Sequence, residues 1–235
     1  MGREFELRKE VSLEATPEQV WDAIATGPGL AAWFMLMEMD PESGMVTAWE
    51  PGKRLAIQTP EAEDGSTQAF EYLLEARDGG TTVLRFVHSG VLGRDWSDEF
   101  PSMTGHGWDM YLHTLALYLK HFAGRPAAYV EAEAPESSAA DSAWPVLLGA
   151  LGVSGPVGPG DPVRLALDGL DPIEGVVDYV GPTFLGIRTS DALYRFHGRA
   201  PLGMPIAVGH HVYRDDVDTE RATEQWRAWL AGVFA

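Results

Sequence analysis

The chain of 235 residues contains no cysteine, which removes disulfides, thiolate nucleophiles and cysteine-held zinc or iron–sulfur centres together. Basic residues are scarce as well: 17 Lys and Arg stand against 35 Asp and Glu, for a formal charge of -18. A field of that sign repels polyanions, so nucleic acid and anionic membrane surfaces are poor partners. No run approaches the roughly 20 apolar residues that span a bilayer, and the first ten residues alternate instead of building a signal core. A cytoplasmic protein without membrane insertion is therefore expected. Also missing are a His-Glu-x-x-His pair, a Gly-x-Ser-x-Gly elbow and a phosphate-cradling glycine loop. The histidines are His88, His106, His113, His121, His197, His210 and His211. His106, His113 and His121 fall about two helical turns apart, too far to share an ion, so neither a metal nor a cofactor is expected.

What is present is pattern. From Phe5 to Ala15 the odd positions are Phe5, Leu7, Lys9, Val11, Leu13 and Ala15 and the even ones are polar, which is a strand with one wet face. Lys9 interrupts the dry face, either as a stem laid on apolar surface with its ammonium in water or as a cation facing an acidic ligand group. Thr16-Pro17-Glu18-Gln19 reads as a capping box opening a helix over 17–26, and a second short helix over 29–34 ends in Trp33-Phe34. Runs at 45–50 and 54–59 flank Glu50-Pro51-Gly52-Lys53, the order of a type II turn. Strands follow at 68–76 and 82–89, joined by Asp78-Gly79-Gly80. Residues 91–103 carry Leu92, Trp96, Phe100 and Met103 and are expected as a loop covering an opening. The longest helical period covers 104–122, with Trp108, Tyr111, Leu112, Leu115, Tyr118, Leu119 and Phe122 on one stripe.

After Gly124 the texture changes. Residues 126–143 are alanine, glutamate, serine and proline with few large apolar groups, a linker composition. An apolar segment from Trp144 to Leu151 and a Gly/Pro-rich stretch at 152–162 precede strands at 163–168, 173–180, 183–189, 192–198 and 206–213. A last helix over 219–234 carries Trp226, Trp229, Leu230 and Phe234. The expected domains are 1–125, a linker 126–143, and a smaller strand-rich domain 144–235 ending in a helix. Its order, strands and then one aromatic helix, suggests a degenerate partial repeat of the first half.

Several pieces of the first half occur in a fixed order: the Thr-Pro-Glu-Gln-Val-Trp helix, Gly-Pro-Gly-Leu-Ala-Ala-Trp-Phe, Trp49-Glu50-Pro51-Gly52-Lys53-Arg54-Leu55, Phe86-Val87-His88-Ser89-Gly90 and a tryptophan-led last helix. Together they resemble the START-like (SRPBCC) helix-grip superfamily, and within it the branch named for the activator of the heat-shock protein 90 ATPase. The resemblance covers roughly residues 3–124. It implies an α+β fold in which a curved antiparallel sheet wraps a long C-terminal helix, two small helices close one end, and a hydrophobic cavity lies between sheet and helix. The C-terminal half lacks the first strand and the Thr-Pro-Glu-Gln-Val-Trp helix, so an accessory domain without a complete copy of that cavity is expected there.

Such a cavity would be lined by Trp33, Phe34, Met37, Trp49, Phe70, Tyr72, Phe86, His88, Trp108, Tyr111 and Leu115. Few of these are polar, as suits an apolar ligand with one or two orienting hydrogen bonds. The expected function is therefore non-catalytic binding of a small hydrophobic or aromatic molecule. Alternatives are a polyketide-cyclase-like or hydrolase-like enzyme using His88 with Tyr72 or Tyr111 for proton transfer, and a chaperone-regulating or other interaction module. A homodimer or protein contact through the C-terminal half is a further expectation.

Overall fold

A computed structural model describes residues 2–94, 96–153 and 155–235. Met1, Asp95 and Ser154, which belong to the expected first domain, the covering loop and the Gly/Pro-rich stretch, lie outside the described residues. The chain divides into two compact units, one running to Arg125 and the other from Pro126. Both are α+β with antiparallel sheets.

The first unit runs β1 (Arg3–Leu13), α1 (Pro17–Ala25), α2 (Gly27–Ala31), β2 (Val46–Glu50), β3 (Arg54–Gln58), β4 (Thr67–Arg77), β5 (Thr81–Leu92) and α3 (Phe100–His121). Its sheet has the order β1-β5-β4-β3-β2, so the first strand lies beside the last and the others form a meander. Phe5, Leu13 and Ala15 of the dry face are buried, and the even positions of β1 are exposed. The capping box forms: Thr16 Oγ1 accepts from the Gln19 N–H at 3.4 Å, and Gln19 Oε1 accepts from the Thr16 N–H at 2.9 Å. The β2–β3 turn closes with Lys53 N–H on the Glu50 carbonyl at 2.9 Å and Gly52 at φ 70, the positive φ that the third position of a type II turn requires.

The long helix starts at Phe100, not at 104, so Phe100 and Met103 belong to its first turn and not to a loop. Pro101 sits where a helix start tolerates proline, and Gly105 and Gly107 are buried interior positions of the helix instead of marking its start. Its stripe packs toward the sheet, with Trp108, Leu112, Leu115, Tyr118 and Leu119 buried.

The second unit runs β6 (Ala128–Glu133), a 3₁₀ turn (Glu136–Ala139), α4 (Ala143–Ala150), β7 (Pro162–Leu165), β8 (Ile173–Gly181), β9 (Phe184–Arg188), β10 (Ala192–His197), β11 (Ala207–Val212) and α5 (Thr219–Val233). Two expectations are corrected here. Residues 126–143 are not a linker throughout, because Ala128–Glu133 pairs with β11 along its whole length, from Ala128 opposite Val212 to Glu133 opposite Ala207. Nor does this half lack a first strand: the order β6-β11-β10-β9-β8-β7 again sets the first strand beside the last. Strand, short helical segments, meander and terminal helix thus recur in the order of the first unit, with one strand more. The core joins Val130 and Ala132 of β6 and Leu147 of α4 to Phe196, Val208, Trp226 and Leu230.

On the opposite face of β10 from Tyr194 and Phe196, Arg195 forms an ion pair with Asp178 at 3.0 Å, and both side chains are almost fully buried. Gly186, opposite Arg195 on β9, leaves room for that pair: a Cβ there would lie 2.5 Å from Asp178 Oδ1 and 2.8 Å from Arg195 Nη1.

Candidate ligand site

Sheet register decides which of the candidate side chains meet. In the first unit Leu7 lies opposite His88, and His88 opposite Phe70; Lys9 lies opposite Phe86, and Phe86 opposite Tyr72. Residues level with one another across a sheet share a face. His88, Phe70, Phe86 and Tyr72 therefore point together toward α3, where Trp108 comes down between them. The Trp108 ring centroid is 4.1 Å from that of Phe86, 6.0 Å from His88 and 6.1 Å from Phe70. Phe34, three residues after α2, stacks on Trp108 at 5.3 Å with an interplanar angle of 17° and meets Tyr111 edge-on at 4.7 Å. Phe34, Phe70 and Tyr111 are half-buried and form the outer layer of this aromatic set, while Tyr72, Phe86, His88 and Trp108 are buried beneath them.

Of the remaining candidates only Trp33 touches this set, at its edge, with its ring centroid 5.4 Å from that of Phe34. Trp33 is fully buried and donates its indole N–H to the Ala23 carbonyl at 2.9 Å, so it ties the end of α2 to α1. Trp49 packs edge-on against Trp21 of α1 at 5.1 Å. Leu115 is fully buried two turns further along α3, as core. Met37 is exposed, beside the still more exposed Leu36. The methionine run at 35–39 forms neither helix nor strand, so no regular backbone turns Met37 inward.

A polar chain runs through the aromatic set. The Trp108 indole N–H donates to His88 Nδ1 at 3.0 Å, and His88 Nε2 lies 2.6 Å from Gln68 Oε1. Because Nδ1 accepts, a neutral ring carries its proton on Nε2 and donates it to Gln68. The ring is held face-on by Phe70 at 4.3 Å and edge-on by Phe5 at 5.0 Å. Burial among these groups pushes the His88 pKa down to about 4. The chain ends on the Gln68 amide nitrogen, which is buried and has no hydrogen-bond partner among the described residues. Gln68 was absent from the sequence candidates. The signal for it was the alternation of β4, which puts Gln68 on the same face as Phe70 and Tyr72.

Lys9 lies on this inner face too. Its ammonium meets Asp109 of α3 at 2.6 Å, so a carboxylate of the protein itself takes the charge. Burial raises the Tyr72 phenol well above its ordinary pKa, and it stays protonated. Among the described residues no three His, Asp or Glu side chains stand close enough to hold a metal ion, and no helix is long and apolar enough to cross a membrane.

No family model and no curated protein matches the chain. Solved structures resemble it at low identity. A protein of Mesorhizobium loti is 20% identical, with 50% of this chain and 98% of that one covered at a TM-score of 0.44. The Aha1 dimer of Colwellia psychrerythraea is 20% identical over 49% of this chain and 96% of its own, at 0.39. DynU16, described as a putative protein of the dynemicin biosynthetic locus, is 17% identical and covers 97% of this chain and 95% of its own, at 0.42. None of these values carries a function over to this chain.

Proposed function

We propose that the first unit binds a small hydrophobic or aromatic molecule without transforming it. The observation that carries this reading is the buried Gln68 amide nitrogen at the end of the Trp108–His88–Gln68 chain, a donor set among aromatic rings with no acceptor among the described residues. A buried donor left unmet costs about 1–3 kcal/mol, and a ligand oxygen that accepts from it recovers that cost. The ligand's ring takes the place against Trp108 that Phe34 holds in this structure. The half-buried Phe34, on an irregular segment, is the ring most easily displaced.

Binding is favoured over catalysis because both ring nitrogens of His88 are committed to protein groups and its low pKa leaves it a weak base near neutral pH. A proton-transfer role for Tyr72 meets the same objection from its raised pKa. Among the described residues no geometry speaks for chaperone regulation. The test is titration of the full chain with acetophenone, followed at the Trp108 indole by NMR. Saturable 1:1 binding that tightens in Phe34→Ala is expected; no saturable shift in either protein contradicts the reading.

A further inference from the structure

The second unit repeats the histidine–tryptophan contact of the first with different hydrogen-bond partners at both ring nitrogens. His210 stands on the last strand before the terminal helix, as His88 does, and Trp226 of α5 meets it edge-on at 4.4 Å. Here the histidine Nδ1 accepts from a backbone group, the Arg195 N–H, at 3.1 Å. The β10–β11 ladder pairs Leu193 with His211 and Phe196 with Val208, and between those rungs the imidazole takes up the Arg195 N–H. With Nδ1 accepting, the proton of the neutral ring lies on Nε2. That Nε2–H is fully buried and has no partner among the described residues. Among the described residues no side chain takes the position that Gln68 holds beside His88: Gln225, which lines a cavity at the ring, donates its amide to the Gly169 carbonyl at 3.0 Å. That cavity, of about 60 Å³, borders the ring and is lined by His210, Tyr194, Gln225 and Trp226 and, on its exposed side, by Asp171 and Arg214.

We infer that this cavity is a second small-molecule site, in which the His210 Nε2–H donates to the oxygen of an uncharged carbonyl compound whose apolar part lies against Trp226. The inference does not depend on the first unit's binding a ligand. Its physical basis is that a buried N–H without an acceptor is costly and that such groups in folded proteins are almost always met. The volume is well above the roughly 10–15 Å³ that holds one water and below the roughly 150 Å³ that holds benzene. It therefore admits a head of a few atoms, with the remainder of the molecule toward the mouth. An uncharged ligand is favoured because His210 is held neutral by burial and because Asp171 and Arg214 offset one another at the opening. The apolar wall of Val130, Ile173 and Val212 offers nothing to solvate a charge.

The experiment is NMR titration of the full chain with cyclopentanone and, separately, with methylenecyclopentane, read at the His210 ring and the Trp226 indole. Saturable 1:1 shifts with the ketone are expected, with affinity about tenfold weaker for the hydrocarbon, which lacks the acceptor. His210→Phe should abolish the difference between the two probes. That variant leaves the Arg195 N–H without its acceptor and can fail to fold, so Ala222→Leu serves as the second variant. It keeps His210, suits the helix and fills the cavity, and should abolish ketone binding with the fold intact. Equal affinity for the two probes, no saturable shift with the ketone, or ketone binding undiminished in Ala222→Leu each overturns the inference.

Discussion

Trp108 donates its indole N–H to His88 Nδ1 at 3.0 Å, so a helix residue and a strand residue twenty positions apart fix one another's orientation in the first unit. The bond assigns the histidine proton to Nε2, directs it at Gln68, and leaves the Gln68 amide as the free end of the chain.

The first prediction concerns pH. The His88 pKa is lowered from 6.5 to about 4, so as pH falls the unfolded chain takes the proton first. Its stabilising contribution is complete above about 6.5 and is lost as pH drops toward 4; at pH 5 the loss is about 2 kcal/mol. Urea unfolding followed at the Trp108 signal should therefore depend less on pH between 7 and 5 in His88→Leu than in the parent, by about that amount. Parallel pH dependences would show that His88 is not held neutral by the fold. His197 and His210, lowered in the same direction by burial, remain in both proteins and cancel in the comparison.

The second concerns the strand hidden in a linker-like sequence. A fragment of residues 126–235 should give dispersed NMR spectra and cooperative unfolding, while 144–235, which lacks β6, should not. Removing β6 strips the β11 edge of its ladder partner and removes Val130 and Ala132 from the core. A folded 144–235 would mean that β6 is dispensable.

Gly186→Ala gives the third. The added methyl would fall within 3 Å of both Asp178 Oδ1 and Arg195 Nη1, so the buried pair must shift or part. Overpacking of this kind costs about 1–3 kcal/mol. Chemical denaturation should show a lowered midpoint with an unchanged slope; an unchanged midpoint would mean that the pair yields freely.

At the start of α1, Thr16→Ala removes the acceptor for the Gln19 N–H and should cost about 1 kcal/mol. By contrast Lys9→Met, which breaks a part-exposed pair with Asp109, should cost less than about 1 kcal/mol because solvent screens that charge. Thermal unfolding that ranks the two variants in the opposite order would place the Lys9 charge in a drier setting than its exposure indicates.

Much of this architecture could be read from periodicity. The alternation of β1, the Thr16 capping box, the Pro51-Gly52 turn and the stripe of α3 each encode their element locally, and each forms. The strand β6 escaped because its inward residues are Ala128, Val130 and Ala132, too small to raise a hydrophobic signal among glutamates; its strand character comes from pairing with β11, a contact more than seventy residues away. The site followed the same division. Alternation placed Phe70, Tyr72, Phe86 and His88 on one face, but which rings close on Trp108 depends on cross-strand register and on how the chain enters α3. That is why Trp49, Met37 and Leu115 lie elsewhere, why Trp33 reaches only Phe34, and why the sequence pattern alone does not single out Gln68.

Acetophenone and ethylbenzene affinities at the Trp108 indole, measured in the parent and in Gln68→Leu, show whether the Gln68 amide orients a ligand of the first unit by donating to it. Loss of one hydrogen bond is worth about 1 kcal/mol, roughly a fivefold change in affinity. The parent is expected to prefer acetophenone by at least that factor, and Gln68→Leu to bind both compounds equally while retaining ethylbenzene. A preference for the ketone that survives in Gln68→Leu, or a parent that does not distinguish the two compounds, would contradict that role.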